Sequence, residues 1–371
     1  MERRNFLLTG AVAAQSAFGQ SSNDKVPTAL IGVGNRGTYL LRAIMAQPDA
    51  RVAALCDLNA DRLDKAATTA AKDNPKTLSE WRRVLDMKVV EAVYIATPPY
   101  LHPEMAIAAL RAGKHVYCEK PIGITPEQVR AVMKEARASK KVFQAGQQLR
   151  SMKVYKNAVG KIRDGVIGDV IWVKAQRHAS ADLPYNGSSA EWYYDVKKSG
   201  GYLVEQSVHN LDLANWAVNA HPLRANGLGT IVMHKNEPPG RSIFDSGSIT
   251  FEYPNGVLMS FTQMVFHPRT MPARNQMLYV YGTKGAVDLM GNDSGIFMYP
   301  LDPNGKPVEL VAKEPDDEHA HIAAFYRCVR HGDKSPAGID IGATAALTAI
   351  LGHEAMSTGK TVAWKDFGVD L

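Results

Sequence analysis

Two patterns of apolar residues divide the first part of the chain into short strands and longer helices. Unbroken apolar runs predict strands, and apolar residues spaced three or four positions apart predict helices. The predicted strands cover 26–31, 51–56, 89–96, 115–118 and 142–145. The predicted helices begin after residue 37 and then cover 60–71, 78–85, 101–112 and 125–139. Because strands and helices alternate, we expect an α/β Rossmann fold with a doubly wound parallel sheet covered on both faces.

The pattern changes in the second part of the chain, where apolar and polar residues alternate. Such alternation predicts strands with one face in a core and the other facing water. The predicted strands cover 171–178, 223–233, 248–253, 257–266, 276–281 and 285–289. The predicted helices cover 154–164, a segment beginning near Val204, 318–331 and 341–358. We therefore expect a C-terminal α+β domain with an open, largely antiparallel sheet.

The N-terminal residues have the order of features found in an export signal. Arg3 and Arg4 precede an apolar stretch at 6–18 that is too short and too weakly apolar to span a bilayer. Small residues at 17 and 19 suit a signal peptidase, and the paired arginines are typical of a Tat signal. A frayed N-terminus is the alternative. We expect export to the periplasm or cell envelope.

Four segments follow from these patterns, and composition fits them. We predict a Tat-type signal peptide at 1–19, a linker at 20–25, a dinucleotide-binding domain at 26–147 and a substrate-binding domain at 148–371. The chain has 371 residues, 45% hydrophobic and 22% charged, which is typical of a soluble two-domain protein. The net charge of +6 comes without a Lys/Arg-rich run, so no nucleic-acid surface is predicted. Three well-separated cysteines exclude a disulfide framework.

A glycine-rich turn follows the first predicted strand. Gly32, Gly34 and Gly37 form the pattern G-x-G-x-x-G between this strand and the next helix. In this motif the first glycine permits a tight turn, the second lets a pyrophosphate approach, and the third lets helix and strand pack closely. The phosphates would lie at the helix N-terminus, beside Asn35 and Arg36, where free N–H groups favour negative charge.

Asp57 ends the second predicted strand, where a carboxylate can accept hydrogen bonds from the adenosine ribose hydroxyls. A carboxylate would repel the 2′-phosphate of NADP, and the neighbouring Leu58 and Asn59 supply no cation to bind it. NAD is therefore favoured as the cofactor. Arg62 is close enough in the sequence to keep NADP as an alternative.

Two further segments carry a resemblance to a known family. T-P-P-Y-L-H at 97–102 and A-G-K-H-V-Y-C-E-K-P at 112–121, together with the glycine motif, resemble the Gfo/Idh/MocA family. Its members are nicotinamide-dependent oxidoreductases that act mostly on sugars, inositols and related polyols. The resemblance implies that Glu119 and Lys120 lie beside the nicotinamide and that Lys120 is catalytic.

The chemistry of alcohol oxidation gives a separate reason for a lysine at this position. Oxidising a secondary alcohol removes a hydride from carbon and a proton from oxygen. A lysine partly withdrawn from water can hydrogen-bond the hydroxyl and help to remove its proton. Lys120 follows an apolar strand, and strand carboxyl ends line the ligand crevice, so we expect it to bind substrate as well. Without this position after a strand and between Glu119 and Pro121, Lys120 would be interpreted as a surface lysine.

The T-P-P segment supplies three more expected contacts to the cofactor, from Thr97, Pro98 and His102. His102 stands at the start of a predicted helix, so from position alone it could equally be a cap.

A second group of polar residues follows a Gly-Gly pair. Glu205, His209 and Asp212 are spaced so that they share one face of a helix. The segment resembles the family's G-G-x-L-x-D-x-G-x-H-x-x-D motif, with Glu205 in place of the usual Asp and Ser207 in place of the usual Gly. The resemblance implies that His209 and Glu205 act with Lys120 in proton transfer.

Two other interpretations of this helix remain. Glu205 and His209 could be an exposed pair that contributes a few tenths of a kcal/mol. The spacing Glu-x₃-His-x₂-Asp could also bind a divalent ion. The family that the chain resembles uses no metal, and Lys120 already supplies positive charge, so we predict no metal site.

Several residues are candidates for substrate binding. His178, Trp192 and Tyr193 could line a sugar site, because aromatic rings stack on the C–H faces of sugars; as core residues they would look the same. Asp212 is added because it is predicted on the same face as His209.

These expectations define a leading hypothesis and two rivals. The leading hypothesis is an exported oxidoreductase with tightly bound NAD, because a periplasmic enzyme has no obvious soluble nicotinamide pool. The first rival is an NAD-dependent glycosidase that oxidises its substrate transiently; the intact E-K-P tripeptide argues against it, whereas Glu205 and the export signal favour it. The second is a non-catalytic nucleotide-binding module, which would need neither Lys120 nor His209.

The expected partners follow from the leading hypothesis. We expect a small carbohydrate or polyol ligand and assembly as a homo-oligomer, either a dimer or a tetramer. We expect no nucleic-acid partner and no stable membrane insertion once the signal is removed.

Overall fold

The computed structural model describes residues 25–180, 191–271, 274–291, 295–313, 315 and 319–369. The predicted signal peptide lies outside these residues. Among the helices that are described, none is long and apolar enough to cross a membrane.

The first sheet has six parallel strands in the order β3-β2-β1-β4-β5-β6. They are β1 (Val26–Ile31), β2 (Ala50–Cys56), β3 (Lys76–Leu78), β4 (Ala92–Ile95), β5 (His115–Cys118) and β6 (Phe143–Ala145). The order reverses between β1 and β4, and ligands of such sheets bind outside the strand carboxyl ends at this point. The predicted doubly wound sheet is confirmed.

Five helices join these strands: α1 (Asn35–Met45), α2 (Ala60–Thr69), α3 (Arg82–Leu85), α4 (His102–Arg111) and α5 (Pro126–Ala138). Side-chain caps fix two of their starts. The Asn59 side chain accepts from the backbone N–H of Arg62 at 2.9 Å, and Thr125 Oγ1 accepts from that of Gln128 at 3.3 Å. Each bond satisfies a donor that the helix itself leaves unpaired.

The helix predicted at 78–85 is wrong in its first half. Lys76–Leu78 pairs with β2 as an edge strand, and α3 begins only at Arg82. Lys76 and Thr77 are exposed, so this strand lacks the apolar run that identified its neighbours.

The second sheet has nine strands in the order β14-β13-β12-β11-β7-β10-β9-β8-β15. They are β7 (Val170–His178), β8 (Arg224–Thr230), β9 (Ser246–Glu252), β10 (Leu258–Met264), β11 (Gln276–Gly282), β12 (Gly285–Asp288), β13 (Ile296–Pro300), β14 (Val308–Val311) and β15 (Val362–Ala363). Neighbours are antiparallel except for β7 and β10, which are parallel. The open, largely antiparallel sheet is therefore confirmed, with β13, β14 and β15 added at its edges.

The remaining helices are α6 (Lys153–Arg163), α7 (Glu191–Tyr194), α8 (Val196–Ser199), α9 (Val208–Val218), α10 (Ala320–His331) and α11 (Ile339–Thr358). The long, apolar α11 packs against α9 and the second sheet, so one sheet face is covered. The other face exposes side chains such as Trp172 and Lys174.

Helix α10 packs on the first sheet although it comes late in the sequence. Ile322, Phe325 and Tyr326 belong to the same buried cluster as Leu30 and other residues of the first sheet and its helices. The packing of the first sheet therefore extends across the predicted boundary between residues 147 and 148.

Candidate active site

A cleft of about 900 Å³ runs along the carboxyl ends of β1, β2, β4 and β5. Most predicted cofactor-binding residues line it: Gly32, Gly34, Asn35, Arg36, Asp57, Thr97, Pro98, His102, Glu119 and Lys120. Trp192, Glu205 and Gln206 join Lys120 in its wall. The cleft therefore joins the glycine-rich turn to the helix that carries the second group of polar residues.

The three motif glycines occupy different environments. Gly32 has φ +89°, and a Cβ there would lie 2.6 Å from the carbonyl oxygen of Ala96. A Cβ on Gly37 would lie 2.0 Å from the Gly32 carbonyl oxygen, so this glycine permits close packing of α1. A Cβ on Gly34 would meet only Arg62 Nη1, at 3.6 Å, and would project into the cleft. The open space beside Gly34 fits the pyrophosphate of a dinucleotide at the N-terminus of α1.

The carboxylate of Asp57 is fixed at the edge of this space. Its Oδ2 accepts from the backbone N–H of Val33 at 2.8 Å, and its Oδ1 accepts from that of Asn59 at 2.9 Å. Arg62 also lines the cleft. An acceptor for ribose hydroxyls and a cation therefore stand at the same end, and the geometry fits a nicotinamide dinucleotide without deciding between NAD and NADP.

Arg36 is held by protein groups. Its Nε donates to Glu119 Oε1 at 2.7 Å, and its Nη2 donates to Gln148 Oε1 at 2.7 Å. Its guanidinium also lies over the ring of Tyr39, 4.5 Å from the centroid. Although Arg36 lines the cleft as predicted, its charge is used to balance Glu119.

Glu119 is 3% exposed and links two parts of the site. Burial raises its pKa, but the positive charges of Arg36 and Lys120 lower it, and the net direction is downward, so the carboxylate stays charged. Its Oε2 accepts from the backbone N–H of Lys120 at 3.2 Å. A Cβ on Gly146 would lie 2.7 Å from that oxygen. Gly146 could not be recognised from the sequence, because a single glycine after a strand forms no motif.

His102 ties two loops of the cleft together. Its Nδ1 lies 2.8 Å from the carbonyl oxygen of Pro121, and its Nε2 lies 2.8 Å from that of Thr97. The ring is 1% exposed, and burial lowers its pKa. His102 thus lies between the segments that precede and follow β5, and because a neutral imidazole carries one N–H it can donate to only one of these two carbonyl oxygens.

Lys120 reaches across the cleft to the second domain. Its Nζ donates to the Glu205 carbonyl oxygen at 2.5 Å and lies 3.0 Å from Glu205 Oε1. The other carboxylate oxygen of Glu205 accepts a hydrogen bond from Gln206 Nε2. Glu205 and Gln206 lie in a π-helical turn, Leu203–Ser207, that leads into α9. The helix predicted from near Val204 is present, but its first turn is π-helical rather than α-helical. Such turns are often found at functional sites.

His209 lies in the first turn of α9, close to the same charges. Burial lowers its pKa well below the usual range, and Lys120, Arg177 and Arg36 lower it further. The imidazole is therefore neutral near pH 7. Its Nδ1 is buried and has no hydrogen-bond partner among the described residues.

Asp212 does not reach the cleft. Its carboxylate is 2% exposed and forms an ion pair with Arg150, with Nη2 2.8 Å from Oδ1. Burial raises the pKa of Asp212, and Arg150 opposes that shift. The guanidinium of Arg150 also lies 4.8 Å from the Trp216 ring centroid. The helical spacing is right, but the carboxylate one turn below His209 meets an arginine that the sequence does not place there.

The predicted aromatic and histidine contacts divide into three outcomes. Trp192 lines the cleft as expected. Tyr193 is 2% exposed and packs in a small core with Tyr202 and Ile243. His178 lies on the opposite face of β7 from the cleft side, with Nε2 3.0 Å from Thr262 Oγ1.

Strand alternation explains the position of His178 and identifies a residue that was missed. Neighbouring side chains of a strand point to opposite faces. Arg177, not His178, therefore faces the π turn, where its Nη2 donates to Gln206 Oε1 at 3.3 Å. Burial and His267 lower the pKa of His178 to about 4, which keeps it neutral on the outer face.

An ammonium and a carboxylate lie in the wall of the cleft, and the neutral imidazole of His209 is close to the charge of Lys120 but is not among the residues that line the cleft. Lys120 can donate to a substrate oxygen, and His209 is in the protonation state that accepts a proton. Within the described part of the chain, no group of three or more His, Cys, Asp or Glu is placed so that it could hold a metal ion.

Both domains match sequence models of one family. Residues 26–147 match the oxidoreductase family, NAD-binding Rossmann fold, of the GFO/IDH/MocA group, and residues 155–288 match the GFO/IDH/MocA C-terminal domain.

Known proteins resemble the chain at different levels. A glycosyl hydrolase family 109 protein of Stenotrophomonas maltophilia is 31% identical to the chain. The match covers 61% of this chain and 52%, about half, of the length of that relative. A scyllo-inositol 2-dehydrogenase (NAD(+)) of Bacillus subtilis is 26% identical over 87% of the chain and 91% of its own length. A solved levoglucosan dehydrogenase, in complex with NADH and levoglucosan, has a TM-score of 0.78 at 20% identity, over 91% of this chain and 99% of that one. At this identity the last likeness concerns the fold.

Proposed function

Because the chain belongs to the Gfo/Idh/MocA oxidoreductase family, we propose that it transfers a hydride between a sugar or cyclitol hydroxyl and a tightly bound nicotinamide cofactor. The observation that carries the proposal is the Lys120–Glu205 pair, which lies in the wall of a cleft that begins at the glycine-rich turn. The pair also links the two domains, because Lys120 follows β5 and Glu205 lies in the turn that leads into α9.

The chain's own residues divide the proton chemistry. When bound, the nicotinamide supplies the hydride acceptor. Lys120 hydrogen-bonds the reacting hydroxyl and holds it in place, while Glu205 orients the ammonium. His209 accepts the hydroxyl proton, because burial and the surrounding cations keep its imidazole neutral.

We propose NAD in preference to NADP. The support is Asp57, whose fixed carboxylate would accept hydrogen bonds from a ribose and repel a 2′-phosphate. We also propose Tat export to the periplasm or cell envelope, supported by the order of features at 1–19. Tat carries folded proteins, so the cofactor could be bound before export.

A redox-neutral glycosidase is the second candidate. It is favoured by the Stenotrophomonas maltophilia relative, whose name is that of a glycosyl hydrolase, and by Glu205 in the place of the usual Asp. In that reaction the sugar would be oxidised transiently at C3, lose its aglycone by elimination, add water in its place and be reduced again at C3 by the same cofactor.

One experiment separates the two candidates. The purified, exported protein is mixed with sugars, cyclitols and aryl glycosides without added cofactor, and absorbance is followed at the reduced-nicotinamide band. A lasting change in that band supports the oxidoreductase. Release of the aglycone without a net change supports the glycosidase. No change with any compound, in protein shown to carry the cofactor, would contradict both.

We further propose a homo-oligomer, either a dimer or a tetramer. The support is the uncovered face of the second sheet, where Trp172 is 39% exposed and Tyr279 and Tyr281 are partly exposed. Soluble proteins usually cover such surfaces. Light scattering on the purified protein tests this, and a monomeric mass would contradict it.

A further inference from the structure

Arg177 occupies a position at the end of β7 that faces the candidate site. In the register of the second sheet it stands opposite Gln263 of β10 and Gln276 of β11. All three side chains therefore share the face on which the π turn and α9 pack. Arg177 is partly exposed, whereas Gln263 is 2% exposed.

The hydrogen bonds of Arg177 go to neutral groups. Its Nη1 donates to Gln276 Oε1 at 2.6 Å, and its Nη2 donates to Gln206 Oε1 at 3.3 Å. Because Gln206 Nε2 donates to Glu205, the amide of Gln206 is oriented with its oxygen towards Arg177. A guanidinium has more N–H donors than the two used here.

Two other cations near the π turn are paired with carboxylates. Arg36 pairs with Glu119, and Lys120 pairs with Glu205. Within the described ranges, no carboxylate lies within salt-bridge distance of Arg177. The positive charge of Arg177 is therefore not balanced by a neighbouring carboxylate of the described residues.

That charge lies next to the cleft. Gln206 is part of the cleft wall and is the side chain that Arg177 contacts. The charge is also felt at the proton acceptor, since Arg177 is one of the cations that lower the pKa of His209. A bound nicotinamide in its oxidised form would add to the positive charge.

We propose that Arg177 binds a carboxylate of the substrate, so that the protein selects acidic sugars such as uronic acids and their glycosides over their neutral counterparts. The inference rests on the proposed function and specifies its substrate class. A carboxylate matches the planar fork of a guanidinium and forms strong, charge-assisted hydrogen bonds with it. Gln276 and Gln206 orient this guanidinium by accepting hydrogen bonds from Nη1 and Nη2, respectively.

The proposed contact also has a consequence for proton transfer. A negative charge beside Arg177 would offset one of the cations that disfavour protonation of His209. Its pKa would then rise towards the ordinary range, where an imidazole is most effective as a base near neutral pH. An acidic substrate would thus make its own proton acceptor more basic.

The test compares matched substrates and matched variants. The two substrate series are methyl glycosides of uronic acids (methyl uronides) and methyl glycosides of the corresponding neutral sugars (neutral glycosides). Each pair differs only at C6, which is a carboxylate in the first and a hydroxymethyl group in the second. Both series are assayed with the wild-type holoprotein, with Arg177→Gln and with Lys174→Gln. Lys174 is an exposed cation on the outer face of the same strand, so its variant removes the same charge away from the site.

The wild type should prefer at least one uronide. In Arg177→Gln, the ratio of kcat/KM for that uronide to kcat/KM for the neutral glycoside should fall ~10- to 100-fold, mainly through KM, the usual effect of losing a charged hydrogen bond. In Lys174→Gln the ratio should stay within about threefold of wild type. A wild-type preference for every neutral glycoside, or an equal fall of the ratio in both variants, would overturn the inference.

A binding measurement keeps this test separate from the proposed reaction. Trp192 lines the cleft, so uronides and glycosides can be titrated while tryptophan fluorescence is followed. Saturable binding of a uronide that is weakened ~10- to 100-fold in Arg177→Gln, but not in Lys174→Gln, supports the carboxylate site even if no substrate is turned over. Equal binding of uronides and glycosides to the wild type would overturn it, whatever the activity.

Discussion

Lys120 and Glu205 form an ion pair that joins the two domains in the wall of the candidate active-site cleft. Nζ of Lys120 lies 3.0 Å from Oε1 of Glu205, and the two side chains are only 13% and 12% exposed. Removing one member of such a pair leaves the other charge poorly solvated, so the pair constrains how the two domains meet.

The first prediction concerns proton transfer. Lys120→Met and His209→Asn should each leave cofactor content intact and lower kcat by ~10²–10⁴, the usual contribution of a positioned acid or base. Because both groups would act on one transition state, the double variant should lose much less than the product of the single losses. Steady-state kinetics on cofactor-loaded protein measures this.

Lys134→Met is the control, because Lys134 is an exposed lysine on α5. Losses below tenfold that multiply in the double variant would show that α9 is structural and that the catalytic group lies elsewhere.

The second prediction concerns cofactor retention. Gly34→Val should fold normally, since only Arg62 Nη1 lies within 4 Å of the added Cβ and the backbone φ of −69° suits any residue. The side chain would fill the space next to the pyrophosphate, so nicotinamide recovered from the denatured variant should fall below a tenth of wild type, roughly.

Gly160→Val, in α6 with nothing near its Cβ, should retain full cofactor. Stoichiometric nicotinamide in Gly34→Val would move the phosphate site away from this turn.

The third prediction concerns the choice of cofactor. Asp57→Ala removes the ribose acceptor and the charge that would repel a 2′-phosphate, so affinity for NAD should fall ~10-fold or more, and affinity for NADP much less. Dissociation constants from calorimetry on cofactor-free protein give both values. Asp61→Ala, an exposed change on α2, is the control. Equal losses for NAD and NADP would place Asp57 away from the ribose.

The fourth prediction concerns Gly146, which sequence analysis missed. In Gly146→Ala the new methyl group would lie 2.7 Å from Glu119 Oε2 and 2.9 Å from the backbone nitrogen of Lys120. The displacement should cost about 1–3 kcal/mol of stability and lower kcat several-fold, because it moves the backbone of Lys120. Gly338→Ala, where nothing lies near the Cβ, should change neither. Unchanged kcat in Gly146→Ala would mean that Lys120 does not depend on Glu119 for its position.

The fifth prediction concerns stability in acid. Burial lowers the pKa of His353 to about 4, whereas an unfolded histidine titrates near 6.5, so the unfolded state binds the proton first. This contribution to stability is therefore present above about pH 6.5 and is lost as the pH falls towards 4. Between pH 7 and pH 4, the Tm of His353→Gln should fall by about 2–4 °C less than that of the wild type. His331→Gln, an exposed change, should follow the wild type, and parallel curves for all three would contradict the assignment.

The first domain could be predicted almost completely from the sequence, because its information is local. Strand β5 has the predicted bounds, and the glycine turn has the predicted packing. The edge strand β3 was missed because edge strands can be short and polar, so nothing separates them from a loop.

The second domain was harder because its side chains meet partners distant in the sequence. Asp212 and His209 have the right helical spacing, yet Asp212 faces Arg150 from another segment. The sequence does not show which face of β7 lies towards the site, so it could not decide whether Arg177 or His178 points there. His178 was predicted because its ring could stack on a sugar, but Arg177 is the residue that faces the site. The π turn at Leu203–Ser207 has no pattern in the sequence that distinguishes it from an α-helix.

The late position of α10 has a consequence for how the chain is made. Phe325 packs edge-on against Tyr94 and Tyr117 of the first sheet, and Tyr326 packs against Tyr94 with its Oη 2.8 Å from Thr28 Oγ1. A nascent chain leaves the ribosome from its N-terminus, so the six-stranded sheet emerges long before the helix that covers it. Until α10 emerges, the apolar patch of the first sheet that it covers stays exposed to solvent and can take part in aggregation. The nucleotide-binding domain is therefore synthesised early, but its packing becomes complete only after α10 has also been synthesised.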